Sequence, residues 1–251
     1  MTKKQYKVFC GLREMYQKLI HKIDGSFPAL RGLQQSIAET RQGGSYLVET
    51  PVVYNTAMDK ITEDDEIKLI LVGDNPGRQE QAAHNRAYLV GNSGKIADKF
   101  FASHKEFNIE FRKNVLIQNK TPVHTARTNE LSELLKQGGR ELAHIIYQSQ
   151  IDCAKILYEF WRIFSEGKAI PVWIIGYSEM KKKGIFEAYT EELTRLARAD
   201  SAFESSIFFY RHFSMNQFTI DLKRKRAPDE SVKEALNRIG AEYRRRIMPA
   251  E

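Results

Sequence analysis

The feature that most constrains this chain is a set of four short apolar runs. They lie at 67–72, 114–117, 171–175 and 207–210. Each is strand-length and rich in aliphatic or aromatic residues: Leu69-Ile70-Leu71-Val72, Val115-Leu116-Ile117, Val172-Trp173-Ile174-Ile175 and Ile207-Phe208-Phe209-Tyr210. Near-continuous hydrophobicity, without alternation, suits strands covered on both faces. Helical periodicity separates the runs, at 95–101, at 130–164 with a break at Gly138-Gly139, and at 185–197. Alternating strand and helix predicts a three-layer α/β/α sandwich around a central, mostly parallel four-stranded sheet. The last helix is predicted at 231–247, where Val232, Ala235, Leu236, Ile239, Tyr243 and Ile247 form one apolar stripe.

Before residue 60 the pattern is helical and loop-like. Val8, Leu12, Met15, Tyr16, Leu19 and Ile20 recur at helical spacing up to Asp24-Gly25-Ser26. A weaker helical signal covers 29–37, and Gln42-Gly43-Gly44 reads as a loop. With 251 residues and no repeat, the expectation is one domain over 1–251, with 1–60 a helical extension packed on it. No run approaches a membrane span, and the first residues lack the apolar stretch of a secretory signal. Cys10 and Cys153 are too few for a usual structural zinc or iron–sulfur site. They read as reduced thiols of a cytoplasmic protein, with no metal and no organic cofactor expected.

In a parallel α/β sheet, ligands bind beyond the carboxyl ends of the strands. The first run leads into Gly73-Asp74-Asn75-Pro76-Gly77, a tight turn that exposes Asp74 and Asn75. Further on, Gly91 and Gly94 in Ala87-Tyr88-Leu89-Val90-Gly91-Asn92-Ser93-Gly94-Lys95 permit close backbone approach, without Walker spacing. The second run ends at Gln118-Asn119. That amide either reads the polar edge of a base or holds its own loop. The fourth leads into Arg211-His212-Phe213-Ser214-Met215-Asn216, where the His is either an active-site donor or a satisfied structural residue. The chain carries 39 Lys+Arg against 32 Asp+Glu, net +7, which permits a polyanionic partner without requiring one. Three basic runs, Lys181-Lys182-Lys183, Lys223-Arg224-Lys225-Arg226 and Arg244-Arg245-Arg246, are solvated faces or a phosphate-tracking surface.

Together these segments resemble the uracil-DNA glycosylase superfamily, in that family's order. The Gly73-Asp74-Asn75-Pro76-Gly77 turn is similar to its first motif, in the Asn-bearing form of the mismatch-specific and single-strand-selective branches. Leu89-Val90-Gly91-Asn92-Ser93-Gly94-Lys95 is similar to a segment of the thermostable bacterial branch, whose cluster cysteines are absent here. Val115-Leu116-Ile117-Gln118-Asn119 is similar to the strand ending in a base-reading Asn, and Arg211-His212-Phe213-Ser214 to the final His-Pro-Ser motif, with Phe213 in place of Pro. The family's base-stacking aromatic aligns with Leu89, with Tyr88 adjacent.

The resemblance implies a DNA glycosylase of base excision repair, acting on uracil or a related mismatched or damaged base, as a monomer that binds DNA. The alternatives are an inactive superfamily member that binds nucleic acid or a nucleobase, and a small nucleoside or nucleotide hydrolase. It assigns water positioning to Asn75, assistance as a base to Asp74 and donation to the departing base to His212. Asn119, Tyr88, Leu89, Gly73 and Gly77 would surround the base. Ser93, Lys95, Lys223 and Arg224 would hold DNA, and Phe213, Ser214, Met215 and Asn216 would form the wedge that fills the vacated stack.

Overall fold

The computed structural model describes residues 1–42 and 46–249. The expected Gly43-Gly44 loop lies outside the described residues. The elements run α1 (Lys3–Ser26), α2 (Leu30–Gln42), β1 (Leu69–Gly73), α3 (Arg78–Gln81), α4 (Asn92–Ser103), α5 (Phe111–Asn114), β2 (Val115–Asn119), α6 (Glu130–Gln137) and α7 (Gly139–Phe164). They continue with β3 (Val172–Ile175), α8 (Glu187–Ala199), α9 (Ser201–Ser206), β4 (Ile207–Tyr210), α10 (Gln217–Lys225) and α11 (Val232–Ile247).

The four apolar runs are the four strands. They form one all-parallel sheet in the order β2-β1-β3-β4. Register pairs Gly73 with Asn119 and Ile175 with Tyr210, so all four carboxyl ends open on one edge. Apart from the half-buried Phe208, every strand residue is buried, as the unbroken apolar pattern requires. One face is covered by α4 and α10 through an aromatic cluster. Trp173 meets Phe101 at 5.5 Å, Phe218 at 5.9 Å and Tyr210 at 5.0 Å between ring centroids. Right-handed crossovers place α7 and α8, which carry the chain back across the sheet, on the opposite face. α11 lies along β4 with Gly240 at the crossing, where a Cβ would come within 2.7 Å of Phe208 Cβ.

The break at 138–139 is real. Gly139 takes φ +68°, and a new helix starts there. α11 opens with a capping box, in which Ser231 and Glu234 satisfy each other's backbone N–H groups.

The N-terminal helix differs from expectation in phase. Its buried stripe is Phe9, Leu12, Tyr16, Ile20 and Ile23, while Val8 and Met15 are half exposed. Phe9 packs on Phe160 and Phe164 of α7, at 5.7 and 5.6 Å, so α1 joins the main apolar cluster. Cys10 and Cys153 are free thiols. Among the described residues no helix is long and apolar enough to cross a membrane, and no cluster of side chains has the makings of a metal site.

Candidate active site

Loops from all four strand ends enclose one cavity of about 700 Å³. The turn after β1 supplies Gly73, Asp74, Asn75 and Gly77, and the end of β2 supplies Asn119 and 125–128. The β3 end supplies 176–179, and the β4 end supplies Arg211, His212, Ser214 and Met215. Leu89 and Ser93 close a further wall.

The orientation of Asn75 follows from its surroundings. Its Nδ2 donates to Thr125 Oγ1 at 2.9 Å and also faces the carbonyls of Pro76, Val123 and Thr125, at 3.3–3.4 Å. An amide nitrogen facing acceptors leaves Oδ1 as the end that can accept from a ligand or water. The loop carrying Thr125 is held by His124, which is buried. Its Nδ1 donates to Pro76 O at 2.8 Å, and its Nε2 accepts from the Tyr46 hydroxyl at 3.2 Å. Burial lowers the His124 pKa to about 4, so the ring is neutral.

Asp74 is tied down on both oxygens. Lys120 Nζ donates to Oδ1 at 2.5 Å and the Thr128 hydroxyl donates to Oδ2 at 3.2 Å. Lys120 is fully buried; Nζ also donates to Ile175 O at 2.6 Å and lies 5.0 Å from the Phe186 ring centre. Its pKa is lowered by burial, with the Asp74 charge opposing that shift. Gly176 makes room for this pair. It has φ +79°, and a Cβ there would sit 2.4 Å from Asp74 Oδ1. Asp74, which the resemblance makes an assisting base, is thus held on both oxygens beside a buried cation.

Asn119 presses against Gly73, where a Cβ would stand 2.5 Å from its Oδ1. Its Nδ2 is buried without a hydrogen-bond partner among the described residues. A buried donor left unmade is costly, so such a group in a cavity wall is suited to a ligand acceptor. His212 has a defined tautomer. Its Nδ1 accepts the backbone N–H of Ser214 at 3.0 Å, so the neutral ring carries its hydrogen on Nε2. Burial lowers the His212 pKa and keeps that neutral form, against the opposing Asp74 charge.

Of the residues singled out in the sequence, Gly73, Asp74, Asn75, Gly77, Leu89, Ser93, Asn119, His212, Ser214 and Met215 line the cavity. Others do not. Tyr88 points into the core, where its hydroxyl donates to Val53 O at 2.6 Å and meets the Tyr16 hydroxyl at 3.2 Å. It is no stacking platform. Phe213 is buried against Phe218, 4.4 Å between centroids, so it is no wedge. The exposed tip of that loop is Met215, 80% exposed with φ +50°; Asn216, at φ +56°, follows it outside the cavity.

Lys95 is exposed on α4 away from the lining, and Arg224 is paired with Asp221 at 2.8 Å. Lys223 faces a separate 390 Å³ groove with His104 and Arg226. In the third basic run, Arg244 donates to Glu204 O and Arg246 pairs with Glu242. The cations on the cavity rim are instead Arg127 and Arg211.

Sequence reasoning missed Glu80, Lys120, Tyr177 and the Thr125–Thr128 loop. For Lys120 a signal existed, since it directly follows Asn119 at a strand end. Tyr177, whose ring packs 4.2 Å from Tyr243, is the aromatic surface of the cavity. No protein-family model and no curated protein matches the chain.

Proposed function

We propose that this protein is a DNA N-glycosylase of the uracil-DNA glycosylase type, hydrolysing the bond between deoxyribose and uracil or a related base swung out of DNA. The observation that carries the reading is that Asn75, Asn119 and His212 line one cavity at the carboxyl edge of a parallel sheet, with Asn119 Nδ2 unpaired among the described residues and His212 carrying its hydrogen on Nε2. Three of the four sequence segments that resemble the superfamily supply these groups in order, and the other supplies Leu89 and Ser93.

Hydrolysis of an N-glycosidic bond develops positive charge on the sugar and negative charge on the departing base. Asn75 Oδ1 accepts a hydrogen bond from water and directs its lone pair toward the anomeric carbon. His212 Nε2–H donates to a base oxygen as charge grows there. A neutral donor suffices, because the acceptor becomes the anion. Asn119 Nδ2 donates to a second acceptor on the base edge. The Asp74 carboxylate, paired with Lys120 and bonded by Thr128, fixes the turn that carries Asn75. As the glycosidic bond breaks, its electrons leave with the base, the water oxygen bonds to the anomeric carbon, and the released proton passes to solvent or the base.

Extruding a base from duplex DNA also needs a filler and phosphate contacts. Met215, apolar and exposed at the cavity mouth, fits the first role. Arg127 and Arg211 on the rim fit the second.

A second reading, a base-binding protein without hydrolysis, is favoured by one observation: Asp74, the carboxylate beside Asn75, already takes a hydrogen bond on each oxygen and pairs with the buried Lys120 cation. Oligonucleotides carrying one uracil opposite G, opposite A or unpaired separate the two. Abasic product is expected from at least one substrate. Salt-sensitive binding with no product from any of the three would replace hydrolysis with binding.

A further inference from the structure

We infer that Glu80 and Arg112 are positioning residues for the ligand cavity, clamping Leu89 from its two sides so that this residue forms a fixed wall. The clamp is built from three observations. Leu89 is buried at φ +52°, a left-handed backbone that a non-glycine residue holds only when its surroundings enforce it. Its N–H donates to Glu80 Oε1 at 2.7 Å, and its carbonyl accepts from Arg112 Nη2 at 2.5 Å. The carbonyl lies so close to α4 that a Cβ at Gly94 would stand 1.4 Å from it.

Glu80 is more than a backbone tie. Its other oxygen, Oε2, accepts the Gly77 N–H at 3.0 Å, so one buried carboxylate joins the turn after β1 to the Leu89 wall. Gly77, Glu80 and Leu89 all line the cavity. The two N–H groups go to different oxygens, both strong acceptors in the ionised carboxylate, whereas protonation turns one of them into a hydroxyl, a donor and a weaker acceptor. Burial pushes the Glu80 carboxyl up to about 7, against the two N–H groups and the Arg112 charge. The titratable or charged groups that face it are Arg112 from α5, itself near Asp98 of α4, and the Tyr88 hydroxyl. Above neutrality both ties are made. Below it one N–H is left with the weaker acceptor and the wall slackens.

The inference takes its ligand from the proposed glycosylase reading, but the clamp is tested without any substrate. The experiment follows backbone amide signals of the full chain by NMR from about pH 5 to pH 8.5. The Gly77 and Leu89 amides are expected to move together with one midpoint near neutrality, and to stay still in Glu80→Gln. Arg112→Met should raise the midpoint by removing the favourable charge. Amides that do not titrate, that still titrate in Glu80→Gln, or that keep their midpoint in Arg112→Met would overturn the clamp.

Kinetics on a uracil oligonucleotide adds a second readout. Glu80→Gln should raise KM about tenfold with kcat within about threefold, since the wall serves binding. An equal loss in kcat and kcat/KM would overturn the assignment to the wall. If the wild type releases no base from any substrate, the glycosylase reading falls, and the amide titration alone decides the clamp.

Discussion

Lys120→Met is the substitution whose cost the structure fixes most closely. The ammonium is fully buried, and two of its contacts are short: Asp74 Oδ1 at 2.5 Å and Ile175 O at 2.6 Å, with Gly73 O at 3.4 Å. Met matches the stem and fills the space over Phe186, so packing changes little. What changes is that, among the described residues, the Asp74 side chain keeps a buried charge with the Thr128 hydroxyl as its one remaining hydrogen-bond donor. Removing one partner of a buried pair costs about 3–5 kcal/mol, whereas replacing both is often close to neutral. Lys120→Met should therefore lose about 4 kcal/mol in urea unfolding at unchanged m value. The double variant with Asp74→Asn should recover at least about 2 kcal/mol of that loss. A single variant within about 1 kcal/mol of wild type would refute the reasoning, as would a double variant no more stable than Lys120→Met.

The remaining predictions rest on separate parts of the molecule. Glu80 and His124 oppose each other with pH. The folded Glu80 keeps its proton up to about 7 rather than 4.5, so its contribution is full in acid and lost as pH rises through 7. The folded His124 stays neutral down to about 4 rather than 6.5, so its contribution is full above 6.5 and lost as pH falls toward 4. Relative to wild type, Glu80→Gln should thus gain about 3 kcal/mol between pH 4.5 and 7.5, and His124→Asn should gain a similar amount in the reverse direction. Unfolding curves at several pH values check both, and a pH-independent difference would count against them. Gly176→Ala meets both a left-handed backbone and the Asp74 carboxylate, so a stability loss of about 2 kcal/mol or more is expected in thermal unfolding. Arg127→Gln should reduce the slope of log affinity against log salt by about one for DNA binding, and Lys95→Gln should leave it unchanged.

The sheet was legible because burial on both faces fills the strands with apolar residues, apart from Gln118 and Asn119 at the end of β2; such runs are visible without any partner. Parallel strands then place their carboxyl ends on one edge, and that geometry alone gathered Asn75, Asn119 and His212 from distant positions in the chain. What stayed hidden depended on side-chain direction. Tyr88 and Leu89 are neighbours of which only one faces the cavity, and the left-handed backbone at Leu89 decides which. Phe213 sits in a loop, yet the first turn of α10 offers Phe218 for it to cover. Lys120 is marked by its place directly after Asn119 at a strand end, but its partners, Asp74 and the carbonyl of Ile175, come from other strand ends and meet it only on folding. Within the basic runs, Arg224, Arg244 and Arg246 are taken up by Asp221, Glu204 and Glu242, which become neighbours only after folding.

In the proposed reaction, the cavity at the strand ends hydrolyses a base–sugar bond through Asn75 and His212. Single-turnover release of uracil from an oligonucleotide, by wild type beside Asn75→Ala and His212→Ala, tests it most directly. Wild-type release should fall about a hundredfold or more in each variant while DNA binding persists. Release that survives both substitutions, or wild-type protein that binds the oligonucleotide and leaves it intact, would contradict the account.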